Sequence, residues 1–318
     1  MSNIKARVGL ARRSNRRDNI FHALDLVRDD VTPRIKEQVL LKPNFLSGSN
    51  QLASSHVDVL RGTIDFLLTT PNPPKEIIVA EGGNEDYSGA AFDNFNYHTL
   101  HDEYDVPIKL VDLNQETQWQ TTEIVLADGS PYQVHMPKTV LDAPCTISLA
   151  IAKTHDVCVV TLALKNMIMG TIRKIDRVKM HGFQSHADRK LPDEAKVLNI
   201  NLIRLAQFLT PDVAVVDGTR GLQGNGPGGE DGVDLGIAAA GVDVYATDAV
   251  MAKSMGFEPL DLGLLHYGHL LELGVADLKE IEVLETKIAD VQKSFKPHET
   301  TELQFQWQRD DAMELLPA

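Results

Sequence analysis

The sequence predicts an α/β protein, a mostly parallel sheet flanked by helices, and three observations carry that expectation. Short apolar runs of strand length alternate with segments of helical periodicity along most of the chain, the order expected of β–α units. The runs are bounded by proline, glycine or polar residues, as buried strands are. At 318 residues and 43% hydrophobic, the chain is long enough for a substantial core, in one large domain or in two lobes facing a cleft.

Taken in order, residues 15–28 have Ile20, Ala23, Leu24 and Val27 at helix spacing, with Ser14 or Asn15 as the N-cap. Residues 38–41 read as a buried strand, and Lys42-Pro43-Asn44 follows at its carboxyl end, where proline ends the ladder and fixes the turn. Residues 57–68 form an amphipathic helix and 76–80 a strand that ends in Glu81-Gly82-Gly83-Asn84. Residues 89–101 are helical and 108–112 are a strand. The segment 123–135 is a hairpin turning at Asp128-Gly129, an edge decoration with no chemical role.

The run 146–152 is bounded by Pro144 and by Lys153-Thr154-His155, which fits a buried strand. A helix over 196–209 leads to a strand over 212–216 with Asp217-Gly218 at its end. The glycine-rich loop 221–231 follows, then a strand over 235–241 and a helix over 243–255 that Asp243 would cap. A helix over 259–273 and a strand over 281–284 close the pattern. Residues 1–300 thus read as one domain, or as two lobes with a boundary near 140–150, and 301–318 as a polar C-terminal tail.

A formal charge of −14 and a pI near 5.2 disfavour nucleic acid and anionic membranes as partners, since both require a broad positive surface. Small anions remain open to a local pocket. No apolar stretch is long enough to span a bilayer, and neither the first residues nor Arg12-Arg13 is followed by a hydrophobic leader. Two cysteines make no disulfide framework and match no zinc or iron–sulfur spacing. A reducing, cytoplasmic location is the expectation.

Chemistry-capable residues are densest between Ile151 and Gly182. If the sheet is open, Lys42, Glu81, Lys153, Asp217 and Gly241 end strands on one rim, where ligands of such sheets bind. Lys165-Asn166 interrupts an apolar run over 157–169, and a lysine there needs a partner or a ligand. It either snorkels to the surface or binds an anion beside an amide. Lys165, Arg173, Lys174, Arg177 and Lys179 make a cationic island within fifteen residues. That island is either a solvated face or a site for a carboxylate or phosphate.

His155 is the candidate general acid or base, because imidazole titrates near neutral pH; the alternative is a hydrogen-bonded structural histidine. His181 and His186, with Asp188, have a spacing seen in metal sites but not specific for one, so a divalent metal stays open. Gly82 and Gly83 would let backbone amides approach a ligand. Gly224 and Gly226 belong to a loop that is either a lid or cradle, or a plain connector. There is no complete dinucleotide or P-loop fingerprint.

Leu41-Lys-Pro-Asn44, Lys153-Thr-His155 and Ala163-Leu-Lys-Asn166 with Gly170 resemble domain-of-unknown-function family 362, over about Val39 to Phe295. The resemblance brings no established activity. Many relatives carry a ferredoxin-like region with four closely spaced cysteines; with only Cys145 and Cys158 here, no iron–sulfur cluster is expected. The overall pattern is distantly similar to nickel-dependent lactate racemase, which holds a modified nucleotide and its metal in a cleft between α/β lobes. That is analogy of fold, and no residue role is carried over from it.

The expectation is an enzyme that acts on a small carboxylate or phosphorylated metabolite by proton transfer, in the manner of a racemase or isomerase. His155 and Lys165 would be catalytic; Lys42, Asn44, Lys153, Asn166 and Lys174 would hold the anion. The alternative is a noncatalytic protein that holds a cofactor, nucleotide or metal.

Overall fold

A computed structural model describes residues 6–84, 89–309 and 311–317; the opening residues 1–5, read above as part of a stretch without a leader, lie outside them. The strands are β1 Ala6–Ala11, β2 Gln38–Lys42, β3 Glu76–Glu81, β4 Ile108–Asp112, β5 Trp119–Val125, β6 Pro131–Pro137, β7 Thr146–Thr154, β8 Val160–Thr161, β9 Val213–Leu222, β10 Gly232–Val233, β11 Ile237–Gly241 and β12 Ile281–Glu285. A mixed, mostly parallel sheet runs in the order β12-β1-β11-β9-β7-β2-β3-β4, with β8 added to β7 and β10 to β9.

Both faces of this sheet are covered, which is why its strands are apolar without alternation. Ile147 and Leu149 of β7, with Val213 and Val215 of β9, pack on one face under the helices Arg16–Leu26 and Val57–Leu68. Their neighbours Ala150, Ala152, Ala214 and Val216 face the other layer, built from Ala163–Met169, Asp193–Leu209, Val244–Ser254 and Gly263–Leu270. Asn15 and Asp243 cap their helices, as expected, by accepting from Asp18 N and Ala246 N. No helix among the described residues is long and apolar enough to cross a membrane.

Several elements depart from the expectation. Strand β1 was not foreseen: a short run at the chain start becomes a strand only because it fits between β11 and β12. Strand β11 runs antiparallel to both β1 and β9. Gly241 therefore pairs with Ala214 at the start of β9 and lies at the rim opposite the carboxyl ends of β2, β3 and β7. Strand β9 continues past Asp217 to Leu222, so Asp217 is a buried strand residue paired with Arg16 at 2.7 Å. The span 89–101 divides into Gly89–Asn94, a 3-10 turn and Leu100–Glu103, with Asn96 at φ +61° between them.

The segment read as a polar tail is folded onto the core. Trp307, Ala312 and Leu316 are buried there, and Trp307 stacks edgewise on Tyr267. Spacing that irregular carries no periodic signal.

Candidate active site

Strands β7, β2 and β3 are parallel neighbours, so their carboxyl ends meet at one rim, and a cavity of about 400 Å³ opens there. Its wall includes Asn44, Glu81, Lys153, His155, Thr161, Lys165, Asn166, Lys174, Arg177, His181, His186 and Arg189.

Beneath the ligand space lies a closed polar network. Lys42 Nζ donates to Pro43 O (2.6 Å) and Asn166 Oδ1 (2.8 Å) and pairs with Glu81. Asn44 Nδ2 donates to the same Asn166 oxygen at 3.1 Å, while Asn166 Nδ2 reaches Lys42 O and Ser148 Oγ. Lys153 Nζ donates to Asn44 Oδ1 (2.5 Å) and Ala53 O (2.9 Å). Burial drives Lys42 down and Glu81 up against their mutual attraction, and drives Lys153 well below the usual lysine range. A β-carbon at Gly170 would collide with Lys42 Nζ, so this packing requires glycine.

Above this network stand the groups suited to proton transfer. Lys165 sits on the short helix Ala163–Met169, whose first amides, Ala163 N and Leu164 N, are capped by Asp248 at 2.8 and 3.0 Å. Its Nζ lies 3.0 Å from His155 Nε2. His155 Nδ1 accepts from Val157 N at 3.0 Å and more weakly from Cys158 N at 3.4 Å. Those amides are aimed by a tight loop that places Val159 at φ +66°, a costly conformation for a β-branched residue. The loop is closed by His155 N on Val159 O and by Val159 N on Gln304 Oε1.

The rings of His155 and His181 stack at 6.5 Å and 18°. His181 Nδ1 lies 2.6 Å from Glu194 Oε1, which also accepts from Arg189 Nε at 2.5 Å; Arg189 in turn binds Asp156. A carboxylate on Nδ1 fixes the tautomer and leaves Nε2 able to take a proton. Burial pushes both histidines down, His155 strongly, with Glu194 opposing the shift at His181.

The remaining wall carries the basic side chains Lys153, Lys165, Lys174, Arg177 and Arg189, and the acids that line it among the described residues are Glu81 and Asp156. The expected decoration, the β5–β6 hairpin, is a separate two-stranded sheet with a positioning role. His135 and Tyr132 hold Asp176 (2.9 and 2.8 Å), and His135 O accepts from Arg173 N, which anchors the turn carrying Lys174 and Arg177.

Lys165, His155, Lys153, Asn44, Asn166, Lys174, His181 and His186 are brought to one cavity. Lys42 is tied inward with all three N–H groups engaged, so it supports Asn166 and Glu81 and has no donor left for a ligand. Gly82 lines the cavity, but its N–H binds Gly170 O (3.0 Å) and its carbonyl takes Arg177; Gly83 O takes Arg177 and Asn114. The pair is a socket for Arg177, where an amide cradle was expected.

Gly224 N binds Lys296 O, Gly226 packs against Thr154, and Thr154 Oγ1 holds Gly224 O at 2.9 Å. The glycine-rich loop is therefore tied down and reaches the cavity through Pro227. Among the described residues no group of three or more His, Cys, Asp or Glu side chains is placed to hold a metal ion; His181 is turned to Glu194, and His186 is exposed. Cys145 and Cys158 are free, buried thiols pushed up to about 12 by burial.

Glu194, Arg189, Thr161, Asp248 and Gln304 escaped the sequence reading. Glu194 lies in the first turn of its helix, where an acid reads as dipole compensation; the other four have no local signature. Thr161 Oγ1, buried in the cavity wall, has no hydrogen-bond partner among the described residues.

Residues 39–253 match the family described as Domain of unknown function (DUF362). A curated relative, Thylakoid-associated protein sll1697 of Synechocystis sp., is 24% identical over 234 residues, covering 70% of this chain. The chain spans 64% of that relative's length. Among solved structures, the lactate racemase apoprotein from Thermoanaerobacterium thermosaccharolyticum superposes with a TM-score of 0.45 at 10% identity, over 74% of this chain and 54% of the other.

Proposed function

The chain belongs to the DUF362 family, and from that premise we propose that it is an enzyme that holds a small carboxylate or phosphorylated metabolite in this cavity and moves a proton on it, as an isomerase or racemase does. The observation that carries the reading is the buried contact of Lys165 Nζ with His155 Nε2 on a wall of basic side chains, with the His181–Glu194 pair stacked beside it. Two imidazoles pressed toward the neutral form by burial suit proton transfer near neutral pH. Arg189 and Lys174, with the orphaned hydroxyl of Thr161, supply donors for an anion.

The competing reading is a protein that holds a nucleotide, cofactor or metal for a partner without turnover. It is favoured by the number of polar groups already engaged with each other, Lys42, Asn44, Asn166 and Lys153 among them.

Solvent exchange separates the two. Candidate carboxylates and phosphorylated metabolites incubated with the protein in deuterium oxide should gain deuterium at the carbon next to the carboxyl or carbonyl group, read by proton NMR. The exchange should be lost in His181→Gln. A ligand that binds without any exchange would refute the catalytic reading and support the competing one.

A further inference from the structure

Resting on the catalytic reading above, we propose that the substrate is an anion bearing an aldehyde or ketone, and that Lys165 bonds it covalently as an imine.

The argument begins with His155. Its Nδ1 has a single in-plane lone pair, and the amide hydrogen of Val157 points at it from 3.0 Å. Asp156 Oδ1 stands 3.1 Å from the same atom, and a hydrogen on Nδ1 would satisfy that carboxylate. It would also leave the buried Val157 N–H facing another hydrogen, a buried donor without an acceptor. Asp156 has no such need, because Arg189 binds its other oxygen at 2.8 Å and its side chain is partly exposed. Nδ1 therefore accepts, and in the neutral ring, the form that burial favours, the hydrogen belongs to Nε2. That hydrogen points at Lys165 Nζ, 3.0 Å away, so the lysine meets it with a lone pair.

Two features of the surroundings agree. Among the described residues no carboxylate lies within ion-pair distance of Lys165 Nζ. Lys165 also borders a small, mainly apolar pocket whose lining includes Val160, Leu162, Leu262 and Leu265; the one acid there, Asp248, is engaged by Ala163 N and Leu164 N. A desolvated amine without a counter-ion, beside other basic groups, is the environment that activates lysine toward carbonyl carbon.

The chemistry balances on the residues present. Nζ adds to the carbonyl carbon, and the carbonyl oxygen leaves as water. One hydrogen of that water originates on the amine, relayed as His155 Nε2–H is given to the oxygen and recovered from Nζ; the other is a proton taken from solvent, so the imine keeps its second amine hydrogen and a positive charge. The protonated imine then withdraws electrons from the neighbouring carbon, whose proton passes to His181 Nε2 with Glu194 holding the other ring nitrogen.

The test is reductive trapping. The full chain is incubated with pyruvate, glyoxylate or glycolaldehyde phosphate and sodium cyanoborohydride, then digested for peptide mass analysis. Binding of each compound without reductant is measured by calorimetry on the same samples. The expected result is a mass gain of the carbonyl compound less one oxygen at Lys165, suppressed by excess inorganic phosphate and absent in Lys165→Arg, whose circular dichroism should match the wild type. Labelling at Lys153 or Lys174 in place of Lys165, or heats of binding with no Lys165 adduct, would overturn the imine and leave the anion cavity standing. Neither binding nor trapping by any of the three would overturn the substrate class together with the reading it rests on.

Discussion

Asp248 offers the sharpest test of how the Lys165 helix is held. Its carboxylate is buried, accepts from Ala163 N and Leu164 N at 2.8 and 3.0 Å, and is pushed from 3.8 up to about 7 by desolvation. An acid whose folded pKa is raised binds its proton more tightly in the native state, so stability falls as pH rises from the unfolded value through the folded one. Between about pH 5 and pH 9 that loss amounts to ~3 kcal/mol, two units at 1.36 kcal/mol each. Asp248→Asn removes the titration but supplies only one acceptor for two amides, leaving a buried N–H unpaired at a cost of about 1–3 kcal/mol.

The variant should therefore be less stable than wild type near pH 5, and should approach or exceed it near pH 9. Urea unfolding followed by circular dichroism at both pH values, with m compared between proteins, measures the difference. A stability difference that stays constant across this range would show that Asp248 is ionised in the native state throughout, and the argument from burial would be wrong.

Two further outcomes follow from the same geometry. Lys42→Met leaves Glu81 buried without its cation and should cost about 3–5 kcal/mol in urea unfolding, with Lys42→Met/Glu81→Leu recovering a large part of the loss; equal costs for the single and double variants would refute the pairing. Glu194→Gln withdraws the charge that opposes burial at His181, so the His181 ring should stay neutral to lower pH in an NMR titration, and an unchanged midpoint would show that Glu194 does not set it.

Much of the architecture was written locally. The runs over 38–41, 76–80, 146–152 and 212–216 announce strands because a sheet covered on both faces leaves little polar alternation to confuse them. The order of β–α units then implies that neighbouring carboxyl ends gather. That logic was enough to bring Lys153, His155 and Asn44 to one rim, since each lies at or just beyond such an end, whereas Lys165 and Asn166 stood out as polar breaks in an apolar run and reach the rim from the helix Ala163–Met169. Asn15 and Asp243 were legible as caps for the same reason: the hydrogen bond closes within a few residues.

Partnership and direction were decided only by the tertiary structure. Nothing in 237–241 tells an antiparallel strand from a parallel one, so Gly241 was placed on the wrong rim until β11 was seen between β1 and β9. Lys42 and Lys165 look alike in sequence, each a lysine set against an apolar run and followed within two residues by an asparagine. One meets Glu81 and Asn166 and becomes scaffold; the other meets a histidine nitrogen on the cavity wall. Glu194, Asp248 and Gln304 act on residues 13, 85 and 145 positions away. Bonds that span such distances exist because packing brings the segments together, and short-range propensity holds no record of them.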